Sequence, residues 1–499
     1  GDSANDGARV AADELRVHVV VEGGNLGFTQ AARVEYALAG GRINCDAIDN
    51  AAGVNMSDHE VNLKILFAPL VESGELAQGE RNRLLSQLTD EVIEKVLETN
   101  RSQARALSLD RIRSETRLKQ FAELLRALEE AGVLDRVMQR LPDKETLRRR
   151  RGNFLGLTRP ELAEVLLHAK LHLQHRLLAS PLPDDPHVER HLHAYFPRTV
   201  GERFRPAVRN HRLRREIIAV NLVNSLVDVA GVTFVHNIVR DLGCNEVVGI
   251  RAWVIAAALA DVDKLLAQLA TENLSPQAEA QVILSLETAT AQACKWVITE
   301  IDPANPIHDV VNRYFSSVFE LYARIPGIFH DGRRRVHNEA IAALTAQGVS
   351  ETLAARIVGA TQLTELLEII RLATAVGAPL PLTAETFYRA SEIIDVDWIR
   401  NGLVACSGED RWEQQAAEGL METLVSAHRT VTKEILGHHD PESTDGEVER
   451  CVSAYAEKRG AQLGKVRALL KDVRSAARPT LAALVVIMRE IEHLCGPAE

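Results

Sequence analysis

A helical spacing of apolar residues runs from just after Ser57 almost to the C-terminus, and no other feature restricts the fold of this chain as strongly. Alanine and leucine dominate the apolar residues while only 4% of the chain is aromatic, a balance that favours helices over sheets. The chain has 499 residues, enough for two or more domains with sizeable cores. We therefore predict a mainly α-helical fold.

Predicted helices and the breaks between them divide the chain further. The best-marked helix start is Thr158, which can cap a helix whose first turn holds Pro160 and Glu161 in a capping box. Other amphipathic helices are predicted over residues 78–97, 118–131, 213–242, 277–301, 337–372 with a break near Gly348, and 412–436. Segments rich in proline or glycine predict subdomain joints near residues 180–186, 302–306 and 377–381.

The N-terminal residues have a different pattern. Residues 15–21 (LRVHVVV) form a β-branched run that predicts a buried strand, and a helix over residues 29–39 and a second strand over residues 42–47 follow. A strand, a helix and a strand within about thirty residues predict a parallel βαβ unit. We therefore expect a short α/β segment over residues 1–75, followed by a large helical domain over residues 76–499.

Charge and cysteine content argue against several classes of protein. The formal net charge of −11 disfavours a general nucleic-acid or membrane-surface binder, because such proteins need a positive field over the contact surface. The six cysteines form no CxxC pair, so neither a zinc site nor a disulfide framework is expected. No run of about 18 apolar residues and no secretory signal is present. We expect a cytoplasmic protein with no metal, nucleic-acid or membrane partner.

Three sets of residues could bind ligands but also have an ordinary structural interpretation. His168, His172 and His175 share a helix face, yet one straight helix cannot wrap them and a nearby glutamate around a metal ion. The arginine runs 148–151 and 333–335 could bind phosphate, but no aromatic residues interleave with them. Solvated helix ends or subunit salt bridges are the expected role of these runs. The four tryptophans are expected to be packing anchors between helices.

Two segments rich in glycine and asparagine follow the predicted strands: EGGNLGF at 22–28 and DNAAGVNMSDHE at 49–60. Both are expected to be loops at the carboxyl ends of the strands, where open α/β sheets bind ligands. Glycines let a backbone approach a cofactor closely, and neutral side chains suit ribose hydroxyls, a carboxamide or a carboxylate. The residues concerned are Gly23, Gly24, Gly53, Asn25, Asn50 and Ser57. Each segment alone is more typical of an ordinary turn than of a binding site, because Gly and Asn are common turn formers.

The two segments together resemble glutamate dehydrogenases, in which EGAN follows a Rossmann strand and NAGGV…S follows the next helix. Here EGGN stands at 22–25 and NAAGV at 50–54, with Ser57 downstream. The stretches LTRPELAEVLLHAK, HRLRREIIAVNLVNSLVDVAGVTFVHNI and DVDWIRNGL followed by DRWEQQA also resemble the large bacterial NAD-specific branch of that family. The resemblance therefore covers nearly the whole chain.

The resemblance implies that residues 1–75 close a Rossmann domain of a homo-oligomeric enzyme. That enzyme would use NAD to convert L-glutamate to 2-oxoglutarate and ammonium. The implied cofactor-binding residues are Gly23, Gly24, Asn25 and Asn50. Asn25 would contact the nicotinamide ribose side of NAD, and Asn50 would lie near the nicotinamide. Val54 and Ser57 would line the pocket for the side-chain carboxylate of glutamate.

The resemblance also shows what this chain lacks. The family reaction needs a lysine of lowered pKa, an acidic partner and lysines that hold the substrate carboxylates, and none of those motifs is found here, so no catalytic residue is assigned. No GxGxxG loop precedes a helix either. We therefore expect a C-terminal portion of a longer enzyme that is inactive by itself. The alternative is a non-catalytic helical scaffold or regulatory module that mediates subunit contacts.

Overall fold

The computed structural model describes residues 3–153, 155–406, 411–440, 446–475 and 479–496, so Asp410 of the DRWEQQA stretch lies outside the described residues. The described part consists mostly of α-helices, which confirms the predicted mainly α-helical fold class. The chain divides into two compact units, Gly1–Val311 (unit 1) and Asn312–Glu499 (unit 2).

The α-helices within unit 1 are α1 (Gln30–Leu38), α2 (Asp46–Asp49), α3 (Ala51–Glu72), α4 (Gln78–Gln87), α5 (Thr89–Glu130), α6 (Lys144–Gly152), α7 (Arg159–Leu178), α8 (Arg190–Tyr195), α9 (Arg198–Arg203), α10 (Arg205–Arg209), α11 (Arg214–Ala230), α12 (Phe234–Leu242), α13 (Glu246–Leu259), α14 (Val262–Leu269) and α15 (Pro276–Glu300). Short 3-10 helices cover Ser3–Ala8, Ala12–Glu14, Leu182–Asp184 and Pro186–Glu189. Helix α16 (Ile307–Ile328) contains the boundary between the two units. The helices that follow it are α17 (Asp331–Thr345), α18 (Glu351–Ala360), α19 (Leu363–Val376), α20 (Leu380–Ile394), α21 (Val396–Cys406), α22 (Arg411–Leu436), α23 (Glu447–Arg474) and α24 (Leu481–Leu494).

The centre of unit 1 is formed by α11 and α13. Helix α11 packs against α5, α7, α8 and α15, and its residues Ile218, Leu222 and Leu226 are fully buried. Helix α13 packs against α15 and is apolar on most of its surface, which suits a helix enclosed by others. The helical segments predicted between residues 158 and 301 therefore join in one core.

The tryptophans differ in their surroundings. Trp253 and Trp296 of unit 1 are 1% and 6% exposed, and Trp398 packs against the apolar cluster of unit 2. These three confirm the prediction of packing anchors. Trp412 contradicts it, because it lies in the first turn of α22 and is 71% exposed.

The predicted start of α7 is confirmed in atomic detail. The backbone N–H and the hydroxyl of Thr158 both donate to the Glu161 carboxylate, at 2.7 and 2.8 Å, and Pro160 stands in the first turn. Glu161 also accepts two hydrogen bonds from Arg150, at 2.7 and 2.9 Å. Arg150 is therefore buried and paired, unlike the solvated arginine that the run 148–151 predicted.

The two strands predicted near the N-terminus do not form within the described residues. A single parallel bridge joins Val19 and Arg42, through hydrogen bonds of 2.9 Å on either side of it. The helix predicted between them is present as α1, capped by the Thr29 hydroxyl. Two extended segments alone make a marginal sheet, and Val17 and Val21 stay 53% and 72% exposed. Of the predicted α/β unit, the described structure therefore retains helix α1 and one β-bridge between the segments that precede and follow it.

The segment 49–60, predicted as a loop, is mostly helical. Helix α2 begins at Asp46, inside the second predicted strand, and α3 begins at Ala51. Alanine, which stands at 51 and 52, is the strongest helix former, and no β-branched run opposes helix formation there. The helix that was expected after Ser57 therefore already begins at Ala51. The NAAGV residues therefore occupy the first turns of a helix.

Unit 2 is a helical assembly whose apolar cluster is built from α20 to α24. Ile399, Val431, Tyr455 and Ile487 are all fully buried there. The break predicted near Gly348 is confirmed, because α17 ends at Thr345 and α18 begins at Glu351. Gly348 has a φ of +96°, a backbone conformation that favours glycine.

The described residues contain no single membrane-spanning helix, no metal-binding cluster and no disulfide bond. No single helix there has the length and apolar composition to span a membrane, although the bent pairs α11–α12 and α19–α20 reach that composition jointly. No group of three or more histidine, cysteine, aspartate or glutamate side chains in these ranges could hold a metal ion. All six cysteines are free thiols.

Candidate functional site

The EGGN segment is fixed by a buried ion pair. Glu22 is 4% exposed and accepts hydrogen bonds from Nε and Nη2 of Arg33 in α1, at 2.6 and 2.7 Å. A bidentate guanidinium–carboxylate pair sets both position and orientation. The first residue of EGGN therefore anchors the segment to α1, and the glycines and asparagine that follow it remain at the surface.

Two aspartates fix the backbone around this pair. Asp46 lies 3.1 Å from Arg33 and accepts the Leu26 N–H at 2.9 Å. Asp49 accepts the Glu22 N–H at 3.0 Å. Burial alone raises the pKa of Asp46, but the Leu26 hydrogen bond and the Arg33 charge bring it below its usual value. These contacts hold Leu26 at a φ of +61°, which is uncommon outside glycine.

The structure brings the two predicted asparagines together. The side-chain amide of Asn50 donates to the side-chain oxygen of Asn25 over 2.5 Å, although 25 positions separate them in the chain. Asn25 is exposed, and Asn50 stands at the N-terminal end of α3 without capping it. The two side-chain N–H donors of Asn25 and the side-chain oxygen of Asn50 make no hydrogen bond with a described residue, so the pair keeps neutral donors and an acceptor.

The predicted glycines border open space. A Cβ added at Gly23, Gly24 or Gly53 would meet no atom within 4 Å, and none of the three has a positive φ. Neither the backbone nor the packing of the described residues therefore requires glycine at these positions. The open surface leaves room for another molecule or another segment to approach the backbone directly.

The predicted substrate residues lie along α3, beyond Asn50. Val54 and Ser57 follow it at positions that share one helix face. Val54 is 72% exposed, and the Ser57 hydroxyl makes only a long hydrogen bond of 3.4 Å to the Gly53 carbonyl. Asn50, Val54 and Ser57 therefore form an accessible stripe that continues the Asn25–Asn50 pair.

Helix α3 is held in place one turn beyond Ser57. The Tyr195 hydroxyl donates to Asp58 at 2.7 Å and accepts from Asn62 at 2.8 Å. The rings of Tyr195 and His59 stack with centroids 4.3 Å apart. Burial raises the pKa of Tyr195 and lowers that of His59, so the phenol stays protonated and the imidazole neutral. Tyr195 thus fixes the register of the helix that carries the stripe.

The helical region also contacts the N-terminal segment directly. Gln30 of α1 donates to the Pro160 carbonyl at 3.0 Å, and Arg159 donates to Asn44 at 2.7 Å. The first turn of α7 therefore supports both α1 and the segment before α2.

Sequence reasoning missed the residues that position the site. Arg33, Asp46 and Asp49 carry no spacing that reveals their partners, although the buried glutamate of EGGN implies some basic partner. Tyr195 carries no signal at all, because 137 positions separate it from Asp58. All six predicted site residues, in contrast, lie at or next to the surface described above.

Comparison with known families covers nearly the whole chain. Residues 155–493 match the family model described as glutamate dehydrogenase, C-terminal, and residues 1–110 match the model described as bacterial NAD-glutamate dehydrogenase, catalytic domain.

Curated relatives give the same result. The chain is 32% identical over 494 residues to the NAD-specific glutamate dehydrogenase of Mycobacterium tuberculosis, covering 99% of this chain and 30% of that protein. It is 34% identical over 507 residues to the protein of the same name from Pseudomonas aeruginosa, covering 100% of this chain and 31% of that protein. The Halomonas elongata protein of that name is 33% identical over 497 residues, covering 99% and 30%. The chain thus spans less than a third of the length of these relatives.

Proposed function

Because the chain belongs to the glutamate dehydrogenase family, in its bacterial NAD-specific branch, we propose that it is the C-terminal part of an enzyme that oxidises L-glutamate with NAD. The products would be 2-oxoglutarate and ammonium. The observation that carries this proposal is the Asn25–Asn50 pair, which joins the two family segments on one open surface. In this proposal residues 22–57 form one wall of the cofactor and substrate cleft.

The residues present fit a nicotinamide cofactor. Gly23 and Gly24 leave the backbone accessible, so a ribose or phosphate could approach it closely. Asn25 would bind a ribose hydroxyl and Asn50 would bind the carboxamide, since both amides can donate and accept. When bound, NAD would supply the hydride acceptor. The part played by this chain is to bind and orient it.

Substrate contact is assigned to the exposed stripe of α3. The methyl groups of Val54 would contact the methylene groups of glutamate, and the Ser57 hydroxyl would donate to its side-chain carboxylate. Only the 3.4 Å bond to Gly53 has to break for Ser57 to turn outward, a weak interaction at that length. We place the lysines that perform the chemistry on chain that precedes residue 1 in the full-length enzyme.

The same longer chain would complete the N-terminal fold. Val17, Val19 and Val21 are more than half exposed, and an additional strand beside them would bury these side chains. The parallel bridge between Val19 and Arg42 has the direction that a Rossmann βαβ unit requires. We propose that residues 1–75 end a Rossmann domain and that residues 76–499 form the helical C-terminal region, with joints near 180–186, 302–306 and 377–381. The enzyme is proposed to be a cytoplasmic homo-oligomer.

The 499-residue chain alone is expected to show no turnover of NAD with L-glutamate. The physical reason is that the proposed wall positions cofactor and substrate but contains none of the family's lysine motifs for proton transfer. The measurement is NADH absorbance, with the full-length enzyme as positive control. Turnover by the 499-residue chain would refute this division of roles.

In the full-length enzyme, Asn50→Ala is expected to raise the KM for NAD about tenfold or more, because one hydrogen bond to the cofactor and the orientation of Asn25 are lost together. Ser57→Ala is expected to raise the KM for glutamate by a similar factor and to leave the KM for NAD unchanged. Steady-state kinetics with each substrate varied in turn measure both values.

Asn82→Ala, at an exposed position of α4, is the matched control and should change neither constant. If Asn50→Ala and Ser57→Ala both behaved like this control, residues 22–57 would not form the cleft. The scaffold interpretation of the chain would then be favoured.

A further inference from the structure

Unit 1 contains a strongly basic cavity of about 690 Å³ that the proposed dehydrogenase site does not use. It is lined by α5, the 3-10 helix Pro186–Glu189, α8, α9, α10 and His308 of α16. Five lysine and arginine side chains and two glutamates belong to this lining. The cationic residues are Lys95, Arg190, Arg198, Arg205 and Arg209. This excess of positive charge stands out in a chain whose net charge is −11. We therefore call this site the basic cavity.

The two glutamates of the basic cavity are already engaged. Glu189 accepts from His193 at 2.9 Å and also from Arg209, and Glu202 pairs with Arg198 at 2.7 Å. Their charge is therefore already shared with neighbouring side chains of the cavity.

The other three cations are weakly compensated. Lys95 donates to the Ala194 carbonyl at 2.7 Å, a neutral acceptor, and makes no direct ion pair with a described residue, although Glu91 and Glu98 of the same helix act on it through space. Arg190 pairs at 3.1 Å with Asp263, whose side chain is 64% exposed, so solvent screens this pair. Arg205 makes no ion pair with any residue that the structure describes. Cations gathered in one concave site repel one another, and an anionic occupant would relieve that repulsion.

Two residues of the same wall carry unpaired polar atoms. Nε of Arg190 and a ring nitrogen of His187 are buried and make no hydrogen bond to described residues. Buried polar groups are costly unless a hydrogen bond satisfies them, so Arg190 and His187 each carry an unsatisfied polar atom at this wall.

We propose that the basic cavity binds a small polyanion, a metabolite with two or more phosphate or carboxylate groups, and that its occupant acts on helix α3 through Tyr195. The volume falls within the range of small-molecule sites, about 300–1,000 Å³. Guanidinium groups match phosphate and carboxylate in a bidentate geometry. Phe196, the phenyl ring in the described lining, is 1% exposed and therefore offers no face for stacking a nucleobase.

The link to α3 follows from the position of Tyr195. His193, Ala194 and Phe196 line the basic cavity, and Tyr195, which lies among them in the chain, donates a hydrogen bond to Asp58 of α3. A ligand that draws Lys95 away from the Ala194 carbonyl changes the support of this segment. Anion binding and its effect on helix α3 are independent of the proposed dehydrogenase function. Only the consequence of that effect for NAD and glutamate binding rests on the proposed function.

The test is calorimetric titration of the 499-residue chain with sodium tripolyphosphate and, separately, with tricarballylate. Ionic strength is held constant, because salt screens exposed charges. One saturable site is expected, and the probe that binds more tightly identifies phosphate or carboxylate as the preferred group. Arg205→Gln is expected to weaken that binding about tenfold, since one charge-assisted contact is lost. Arg205 is exposed, so the variant should fold normally.

Arg126→Gln is the matched control, because Arg126 lines a smaller basic cavity of about 230 Å³ and its side chain is 61% exposed. Binding by this variant should equal that of the unaltered chain. Absence of saturable heat with both probes, or an equal loss in the two variants, would overturn the site.

Hydrogen exchange of a peptide covering residues 58–67 tests the link to α3. Saturating probe is expected to change exchange of this peptide in the unaltered chain and to change it less in Tyr195→Phe, which lacks the hydroxyl that contacts Asp58 and Asn62. Exchange that the probe leaves unchanged in the unaltered chain would overturn the link.

Discussion

Replacing Arg113 by methionine is expected to lower the free energy of unfolding of unit 1 by about 3–5 kcal/mol, the usual cost of removing one partner from a buried ion pair. Arg113 is 1% exposed and donates to Asp110 at 2.9 Å, to Glu287 at 2.8 Å and to the Val229 carbonyl at 2.7 Å. Methionine keeps much of the apolar stem but donates nothing. Two buried carboxylates and one carbonyl would therefore lose their shared partner.

The network around Arg113 joins three central helices of unit 1. Asp110 and Arg113 belong to α5, Glu287 to α15, and the Val229 carbonyl to the last turn of α11. Gly231 follows that turn with a φ of +81°, and a Cβ there would lie 2.6 Å from an Asp110 carboxylate oxygen. Glycine at 231 thus lets the chain pass close to the buried charges.

Hydrogen exchange of peptides from α11 and α15 measures the effect, because slowly exchanging core amides report the free energy of unfolding. Arg111→Met is the control on the same helix, since its side chain is 61% exposed and pairs with Glu115 only at 3.7 Å. The control is expected to cost less than about 0.5 kcal/mol. Equal losses in the two variants would show that the buried network contributes nothing specific.

Replacing Glu365 by glutamine is expected to lower the free energy of unfolding of unit 2 by about 3 kcal/mol at pH 7. One partner of a buried ion pair is again removed, and here the positively charged partner is left behind. Glu365 pairs with Arg333 and, at 3.1 Å, with Arg400. Arg333 also lies 4.8 Å from the centre of the Tyr388 ring. The Arg333 side chain is only 14% exposed, so the solvated role predicted for the run 333–335 is wrong for this residue, whereas the two arginines that follow it are 44% and 75% exposed. A neutral amide would leave the Arg333 guanidinium without its closest counter-charge.

The pH dependence of unit 2 separates this effect from simple packing. Burial alone raises the pKa of Glu365, but Arg333 and Arg400 bring it to about 2, below the ordinary 4.5. A carboxylate with a depressed pKa stabilises the fold above the ordinary value, and the stabilisation is lost as pH falls from 4.5 towards 2. Glu365→Gln should therefore flatten the stability profile of unit 2 in that window.

His428 provides a control in a different pH window. Burial lowers its pKa from 6.5 to about 4, and its Nε2 lies 2.8 Å from the Phe387 carbonyl. A histidine with a depressed pKa stabilises the fold above 6.5, and stability falls as pH drops from 6.5 to 4. His428→Gln should flatten that range. The fall in stability below pH 4 should persist, because Arg333 and Arg400 still lower the pKa of Glu365. Hydrogen exchange of α20 and α22 peptides measures both profiles, and identical profiles in both variants and the unaltered chain would contradict the assignment.

Local sequence signals predicted local structure well. Thr29 and Thr158 mark the starts of α1 and α7, and Gly348 marks a break between helices, because capping and chain reversal depend on neighbouring residues alone. The family resemblance likewise rests on contiguous segments, and both family models match.

The strands were predicted wrongly for the opposite reason. A β-branched run such as 15–21 is stable as a strand only when other strands pair with it, and the sequence of the run does not contain those partners. The loop at 49–60 was wrong because Gly and Asn are common in turns, whereas here the alanines continue a helix that packs on α5.

The sequence by itself determined the helical class, several helix ends, the family and the two segments that hold the six proposed site residues. Only the tertiary structure decided that Asn25 and Asn50 meet, that Glu22 is buried against Arg33, and that Tyr195 holds α3 from a position 137 residues away from Asp58. Helix formation needs contacts three or four residues apart, which periodicity records. Buried charge pairs and open clefts depend on which distant helices pack together, and no local pattern records that.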